Sequence, residues 1–307
     1  MLDFAPAPLQ EIALPLLAAA DVRVFVKRED LVHPQLQGNK WRKLKYHISA
    51  MQNANKNGNK SANKNTILTY GGAFSNHIYA TAAAAQLLDF QAIGVIRGEL
   101  TEPLNITLQF AEANGMLLHF VSRSDYRLRG TPEFTATLRQ QFGDFYELPE
   151  GGSGDCAVQG VAELADELLV DLPDADFVAV AAGTGATAAG LAVGLGGRAK
   201  VLAFSVLKGG DFLTADVRNF IAQHNKKNTI INAKASDFDL FTDYHFGGYA
   251  KQNAVLRHFI SDFTTKTSTP IEHVYTAKMF YGLFDLIQRG YFPKGTKIIA
   301  VHTGGLR

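Results

Sequence analysis

The chain has 307 residues, of which 47% are hydrophobic, so it can bury one large core or two lobes. Its formal net charge at pH 7 is +1, and this balance gives no field that would favour nucleic acid or an acidic membrane surface. Cys156 is the single cysteine, which excludes an intrachain disulfide and favours a reducing, cytoplasmic location.

Other sequence features argue against secretion, membrane insertion and metal binding. The N-terminus has neither the basic flank nor the apolar run of a signal peptide or membrane span. The sequence contains no C-x-x-C or H-E-x-x-H motif, so no metal site is predicted. Cys156 lies in a glycine-rich stretch, and we expect it to serve as a small buried hydrophobe.

Apolar runs typical of buried strands alternate with helical patterns along the chain. Seven runs are predicted as strands: Val22–Val26, Ile67–Tyr70, Ala92–Ile96, Leu117–Val121, Phe177–Ala181, Val201–Val206 and Ile298–Val301. This alternation predicts β-α-β units, and therefore an α/β fold with mostly parallel sheets flanked by helices.

The run GNKWRKL predicts a glycine turn at Gly38 followed by an amphipathic helix. Trp41, Leu44 and Ile48 fall near helical spacing, so one stripe of that helix can be buried. Lys40 then lies in the first turn, where unpaired N–H groups are positive and a cation does not stabilise the helix. An amine held near positive charge loses its proton more readily and can bond to a carbonyl carbon. A solvated surface lysine is the alternative interpretation.

Three polar clusters directly follow predicted strands: Gly71–His77, Gly183–Thr187 and His302–Gly305. Ligands bind at the carboxyl edge of open parallel sheets, which is where these clusters should lie. The first two clusters also precede helices, whose N-terminal N–H groups can hold anions. An ordinary N-cap and a tight strand–helix turn remain the structural alternatives for these two clusters.

Three further segments differ in composition from their surroundings. Leu148–Gly154 is rich in glycine and contains a proline, so it is a hinge candidate. The tract from Asn53 to Asn65 is rich in lysine and asparagine without aromatic residues, which is typical of a solvated loop. The stretch from Asp237 to Gln252 is aromatic, polar and weakly periodic, and we expect a loop beside a ligand cleft.

The segments GNKWRKLKY, GGAFSNH, AAGTGATAAGL, VYTAK and VHTGG resemble the aminocyclopropane-carboxylate deaminase and D-cysteine desulfhydrase family. Members of that family are fold-type-II (tryptophan-synthase-β-like) enzymes that use pyridoxal 5′-phosphate (PLP). The resemblance implies a smaller α/β domain of residues 46–148 and a larger PLP-binding α/β domain of residues 1–45 and 149–307. It also implies two mostly parallel twisted sheets, an active site in the cleft between the lobes, and a homodimer.

The resemblance also implies roles for individual residues. Lys40 carries the cofactor and removes the substrate proton, Ser75 assists proton transfer, and Tyr275 faces the substrate. The residues implied in cofactor binding are Lys40, Lys43, Asn76, Gly183, Thr184, Gly185, Ala186, Thr187, Thr276 and Thr303. The residues implied in substrate binding are Ser75, Asn76, His77 and Tyr249.

Several of these residues also have ordinary structural interpretations. Lys43 could be a solvated helix lysine, His77 a hydrogen-bonded packing residue, and Tyr275 a half-buried aromatic residue of a helix. Ala186 stands where family members often have glycine, which is tolerable only if its φ stays negative.

Thr276 and Thr303 point to the type of reaction. Ring-opening deaminases of the family have an acidic residue after the active-site tyrosine, where this chain has Thr276. They also have leucine at the second position of the H-x-G-G tetrapeptide, where this chain has Thr303. A hydroxyl can hydrogen-bond the pyridine nitrogen but does not hold a positive pyridinium, so the electron sink is weaker. We therefore predict a PLP-dependent lyase that acts on D-cysteine, with aminocyclopropane-carboxylate as the alternative substrate.

Two other functional classes are possible from the sequence. A protein that binds PLP without turnover would need neither Ser75 nor Tyr275 beside Lys40. A nucleotide-dependent oxidoreductase built on Gly183-Thr184-Gly185 would need a third glycine, where this chain has Ala188.

Overall fold

The computed structural model describes residues 4–36, 38–56, 65–228 and 238–306. Within these ranges, strands and helices alternate as the sequence predicts. The strands are β1 (Leu9–Ile12), β2 (Arg23–Lys27), β3 (Thr66–Gly72), β4 (Gln91–Arg97), β5 (Leu117–Val121), β6 (Tyr146–Leu148), β7 (Phe177–Ala182), β8 (Lys200–Ser205), β9 (Phe238–Phe241) and β10 (Lys297–Val301). The helices are α1 (Pro15–Ala20), α2 (Asn39–Lys56), α3 (Asn76–Leu88), α4 (Ile106–Ala113), α5 (Arg123–Tyr126), α6 (Pro132–Phe142), α7 (Asp155–Asp171), α8 (Ala186–Leu195), α9 (Leu213–Lys227), α10 (Ala254–Thr267) and α11 (Thr276–Gln288).

The predicted α/β class is confirmed, and all seven predicted strands are present. Three further strands, β1, β6 and β9, were not predicted from the sequence; they are only three or four residues long and lie at sheet edges. The expectation of a loop from Asp237 to Gln252 was therefore wrong in part, since β9 lies within it and pairs with β8. The tract expected as a loop from Asn53 is helical up to Lys56, and residues 57–64 lie outside the described residues.

The described residues divide into two compact units. The small unit lies within Lys43–Cys156, and the large unit lies within Leu2–Arg42 and Ala157–Arg307. In the part of the chain that the structure describes, no helix is long and apolar enough to cross a membrane.

The small unit is built on a four-stranded parallel sheet in the order β5-β4-β3-β6. The two central strands are buried almost throughout, as expected of a parallel sheet covered on both faces. Helix α3 begins after the turn that follows β3, and its alanine side chains are buried. Ser75–His77 therefore lies at the carboxyl end of a central strand.

The large unit contains a six-stranded sheet in the order β1-β2-β10-β7-β8-β9, in which β1 alone runs antiparallel to its neighbour. Side chains alternate between its two faces. Ile298 and Ala300 pack in one core with residues of α10 and α11, whereas Ile299 and Val301 pack in another with residues of α7 and α8. Both faces of the sheet are therefore buried, which explains why the sequences of its strands are continuous apolar runs.

The strand register of the large sheet brings three loops together. In β10, Val301 pairs with Lys27 of β2, and Ile298 pairs with Phe177 of β7. The His302 N–H, directly after β10, donates to the Lys27 carbonyl at 3.0 Å. The segments that follow β2, β10 and β7 therefore leave the sheet side by side, at its carboxyl edge.

Candidate active site

The loop between β7 and α8 has the features of an anion-binding turn. Gly185 has φ +80°, a left-handed conformation that favours glycine, and it precedes the helix without a capping side chain. The Ala189 N–H donates to the Gly185 carbonyl at 3.0 Å, so the N–H groups of residues 186–188 are first-turn groups without an earlier helical acceptor. The first turn of α8 has no acidic residue. These N–H groups and the helix dipole favour an anion.

Close packing on this loop requires small residues. A Cβ added at Gly183 would lie 3.2 Å from Cε1 of Tyr275, so the backbone of the loop can approach that ring closely. Ala186 begins α8 with helical backbone and not with positive φ, which meets the condition for tolerating its methyl group. Asn39 Nδ2 donates to Oγ1 of the buried Thr187 at 2.6 Å and so connects the loop to the turn before Lys40.

Lys40 is the second residue of α2, as predicted, and is half-buried. The preceding Gly38 has φ +65°, and a Cβ there would lie 1.7 Å from the Thr303 carbonyl oxygen. Only glycine fits this contact, which packs the Lys40 turn against the segment after β10. Nζ of Lys40 lies 6.0 Å from the centre of the Tyr275 ring. The predicted stripe of Trp41, Leu44 and Ile48 is buried.

Ion pairs in the large unit fix the beginning of α2. Arg42 donates to Glu29 at 2.6 and 2.8 Å and to Glu167 of α7 at 2.8 Å. Burial alone would lower the pKa of Arg42, but the pairs with Glu29 and Glu167 raise it above its ordinary value. The Gly38 N–H donates to the Glu29 carbonyl at 2.8 Å. Glu29 therefore binds residues on both sides of Lys40 in the sequence, Gly38 through its backbone and Arg42 through its carboxylate. Glu29 was not predicted as a site residue, because nothing in the sequence around it indicates that its side chain is buried.

Two tyrosines lie together in the large unit. Tyr275 immediately precedes α11, and its ring centre is 5.9 Å from that of Tyr249. The two hydroxyl oxygens are 3.5 Å apart. Tyr275 thus lies next to Tyr249, to Gly183 and to Lys40, which are three of the predicted site residues.

The two threonines have different surroundings. Thr276 is completely buried, and its hydroxyl accepts from the Glu272 N–H at 2.9 Å. Oε1 of Glu272 in turn accepts from the N–H groups of Tyr275 and Thr276 at 2.9 and 2.8 Å. The carboxylate of Glu272 therefore caps the N-terminus of α11, where negative charge is stabilising. Thr303 is 8% exposed and follows β10 beside Gly38.

Ser75 is the N-cap of α3, and its Oγ accepts from the Ile78 N–H at 3.3 Å. Asn76 and His77 form the first turn, and His77 is 2% exposed. Nε2 of His77 lies 2.7 Å from Oγ1 of Thr69, whose hydroxyl donates to the Leu148 carbonyl at 2.8 Å. Because that hydroxyl proton is already used, Nε2 of His77 carries a hydrogen and donates it to Thr69.

Lys43 is a buried residue of the small unit and not a solvated one, with 3% of its surface exposed. Gly152 lies beside it, in the turn between β6 and α7. A Cβ added at Gly152 would lie 3.5 Å from both Cβ of Lys43 and Nδ1 of His77. Because glycine has no side chain, both Lys43 and His77 can pack against the backbone of this turn in the small unit.

Cys156 is half-buried, so the expectation of a buried residue was wrong. It lies in the first turn of α7, before the buried stripe that includes Ala157 and Val158. Among the described residues, no group of three or more His, Cys, Asp or Glu side chains could hold a metal ion.

The chain is similar to several known proteins. Residues 2–304 match the family model described as pyridoxal-phosphate dependent enzyme. The chain is 30% identical to the Arabidopsis thaliana protein named bifunctional D-cysteine desulfhydrase/1-aminocyclopropane-1-carboxylate deaminase, mitochondrial, over 98% of this chain and 76% of that protein. It is 26% identical to D-cysteine desulfhydrase of Salmonella paratyphi A, over 98% of this chain and 92% of that protein. The crystal structure of an ACC deaminase homologue superposes with a TM-score of 0.84 at 26% identity, covering 98% of this chain and 90% of that one.

Proposed function

The chain belongs to the pyridoxal-phosphate dependent enzyme family, and from this premise we propose that it is a D-cysteine desulfhydrase. It is an α/β enzyme of fold type II and a PLP-dependent lyase that acts on a small amino acid. The proposed reaction converts D-cysteine and water to pyruvate, ammonia and hydrogen sulfide. The observation that carries this choice is the pair of hydroxyl residues, Thr276 and Thr303, where a ring-opening enzyme would carry an acid and a leucine.

The residues of the large unit fit PLP. The loop from Gly183 to Thr187 offers backbone N–H groups and a helix N-terminus to a phosphate, and Lys40 offers an amine to an aldehyde. A Cβ at Gly183 would be tightly placed against the Tyr275 ring, so glycine suits this position of the loop. We propose that these residues hold the cofactor and that Lys43 and Asn76 of the small unit contribute to its binding.

When bound, PLP supplies a pyridine ring that withdraws electrons from the α-carbon of the substrate, more strongly when its nitrogen is protonated. A carboxylate would keep that proton in place, whereas a hydroxyl does not. Glu272 is the acid next to Thr276, but its carboxylate accepts the N–H groups that begin α11. Because the Thr276 hydroxyl lies within donating distance, 3.3 Å, of the Glu272 carbonyl and carboxylate oxygens, we propose that Thr303 is the hydroxyl directed at the pyridine nitrogen.

The remaining roles concern the substrate. We propose that Lys40 removes the α-proton with its amine, that Ser75 assists this proton transfer, and that Tyr275 and Tyr249 contact the substrate. We propose that Asn76 and His77 contact the substrate carboxylate, because the N–H groups in the first turn of α3 suit an anion. The hydrogen bond from Nε2 to Thr69 fixes the orientation of the His77 ring.

Ring opening of aminocyclopropane-carboxylate to 2-oxobutanoate and ammonia is the second candidate. The observation that favours it is the name of the Arabidopsis thaliana relative, which combines both activities. The homodimer implied by the sequence resemblance is likewise proposed, and light scattering on purified protein tests it.

A substrate panel tests the proposed function. Purified protein loaded with PLP should release pyruvate and sulfide from D-cysteine with a kcat/KM higher than that for 2-oxobutanoate formation from aminocyclopropane-carboxylate. L-Cysteine and D-serine serve as stereochemical and leaving-group controls. Faster turnover of the cyclopropane substrate than of D-cysteine would overturn the assignment and leave the cofactor assignment intact.

A further inference from the structure

Lys278 is a buried lysine to which the proposed reaction gives no role. It lies on α11 three residues after Tyr275, and none of its surface is exposed. Nζ of Lys278 donates to the Gly248 carbonyl oxygen at 2.7 Å. Burial lowers the pKa of Lys278 to about 8, although the charge of Glu272 opposes this change.

The backbone that receives this hydrogen bond has an unusual conformation. Residues 246–250 include two glycines with positive φ, Gly247 at +94° and Gly248 at +116°. Two non-glycine residues beside them, Phe246 and Ala250, also have positive φ, at +51° and +55°. Left-handed backbone at such residues is strained and persists only where the surrounding structure enforces it. The Lys278 hydrogen bond is a constraint at the centre of this segment.

The segment carries Tyr249, so its position decides where that tyrosine lies. The Tyr249 hydroxyl is 3.5 Å from that of Tyr275, which in turn lies beside Gly183 and Lys40. A shift of the Gly248 carbonyl would therefore separate the two hydroxyls. A buried lysine in itself is weak evidence for a contribution to stability, because an apolar side chain of similar volume avoids the cost of burying a charge.

We propose that Lys278 is a positioning residue, which fixes the Gly248 carbonyl and thereby holds Tyr249 against Tyr275 where the substrate binds. This inference rests on the proposed function, because it assigns Tyr249 to substrate binding. It extends that function to a residue that contacts neither substrate nor cofactor. The lysine acts through the backbone of the Tyr249 segment.

A double-mutant cycle tests this inference. The variants are Lys278→Met, Tyr249→Phe and the double variant, with Lys266→Met as the matched control, because Lys266 is an exposed lysine of α10 paired with Asp262. Lys278→Met should raise KM roughly tenfold and change kcat by less than about threefold, as the loss of a substrate contact would. The double variant should be no worse than the poorer single variant, since both changes remove one interaction. Lys266→Met should match the wild type.

Two other results would overturn the inference. One is an unchanged KM in Lys278→Met, and the other is effects that multiply in the double variant, which would mean that Lys278 acts independently of Tyr249. If Lys278→Met does not fold, Lys278→Gln replaces it in the cycle and is judged by the same criteria. A 3-fluorotyrosine at position 249 gives a second readout, since its ¹⁹F resonance should move in the Lys278 variant and stay unchanged in Lys266→Met.

The cycle separates this inference from the proposed function. It is measured with whichever amino acid the wild type converts. Absence of D-cysteine turnover in the wild type contradicts the proposed function alone. Normal wild-type turnover combined with independent effects of the two substitutions contradicts the positioning role alone.

Discussion

The two units hold their predicted site residues in different ways. In the large unit, the Lys40 turn is fixed by contacts between segments far apart in the sequence: Gly38 against Thr303, and Arg42 with Glu29 and Glu167. In the small unit, Ser75 is held by a local helix cap, and the neighbouring His77 is linked through Thr69 to the Leu148 carbonyl. Substitution of Arg42 or Gly38 should therefore cost more stability than substitution of Ser75, since a buried ion pair or a backbone contact costs more to break than a cap.

The largest effect is expected from Arg42→Met. Removing the guanidinium leaves Glu29 buried without its ion-pair partner, which should lower the free energy of unfolding by about 3–5 kcal/mol. Arg23→Met is the control, because the Arg23–Glu11 pair is exposed and its loss should cost far less stability. Urea unfolding of both variants measures the difference. Equal losses would contradict the importance of the buried pair.

Gly38→Ala should cost nearly as much, because the new methyl would overlap the Thr303 carbonyl. Gly196→Ala is the matched control. Gly196 has φ +56°, close to the +65° of Gly38, but no atom lies within 4 Å of a Cβ there. The control should lose about 1 kcal/mol from backbone strain alone, and Gly38→Ala should lose clearly more and retain PLP poorly. Similar losses in the two variants would show that the packing against Thr303 is unimportant.

A smaller, pH-dependent effect is expected from Lys278. Its folded-state pKa, about 8, lies below the ordinary lysine value of 10.5, so the unfolded chain binds more protons between these two pH values. The free energy of unfolding should gain a contribution from this group that rises with pH across that window, by roughly 1 kcal/mol per pH unit. Lys278→Met should lose this contribution. Identical pH profiles for the wild type and the variant would contradict the lowered pKa of Lys278 in the folded state.

The smallest effect on stability is expected at Ser75. Ser75→Ala removes the cap of α3 and should cost about 1 kcal/mol, whereas Ser75→Gly should cost only a few tenths. If the hydroxyl assists proton transfer, both variants should lose the same fraction of kcat despite their different stabilities. A loss of kcat that follows stability would indicate that Ser75 serves only as a cap.

The sequence predicted the fold class and the seven longer strands, because buried parallel strands leave continuous apolar runs and the loops after them carry glycine and threonine. It did not predict β1, β6 or β9, since short edge strands have weak patterns. Nor did it identify Glu29, Glu272 or Lys278, because burial and pairing of a charged residue depend on distant parts of the chain. The assignments of Lys40, Tyr275 and the other site residues came from the family resemblance, and their chemical roles stay predictions.

Attachment of the cofactor is the central claim, and reduction with borohydride tests it most directly. Protein purified with PLP should be reduced, digested and mapped by mass spectrometry. A pyridoxyl group on Lys40, absent from the Lys40→Ala variant, is the predicted result. A pyridoxyl group found on Lys43, Lys278 or another lysine, with Lys40 unmodified, would contradict the assignment of the Lys40 turn as the cofactor site.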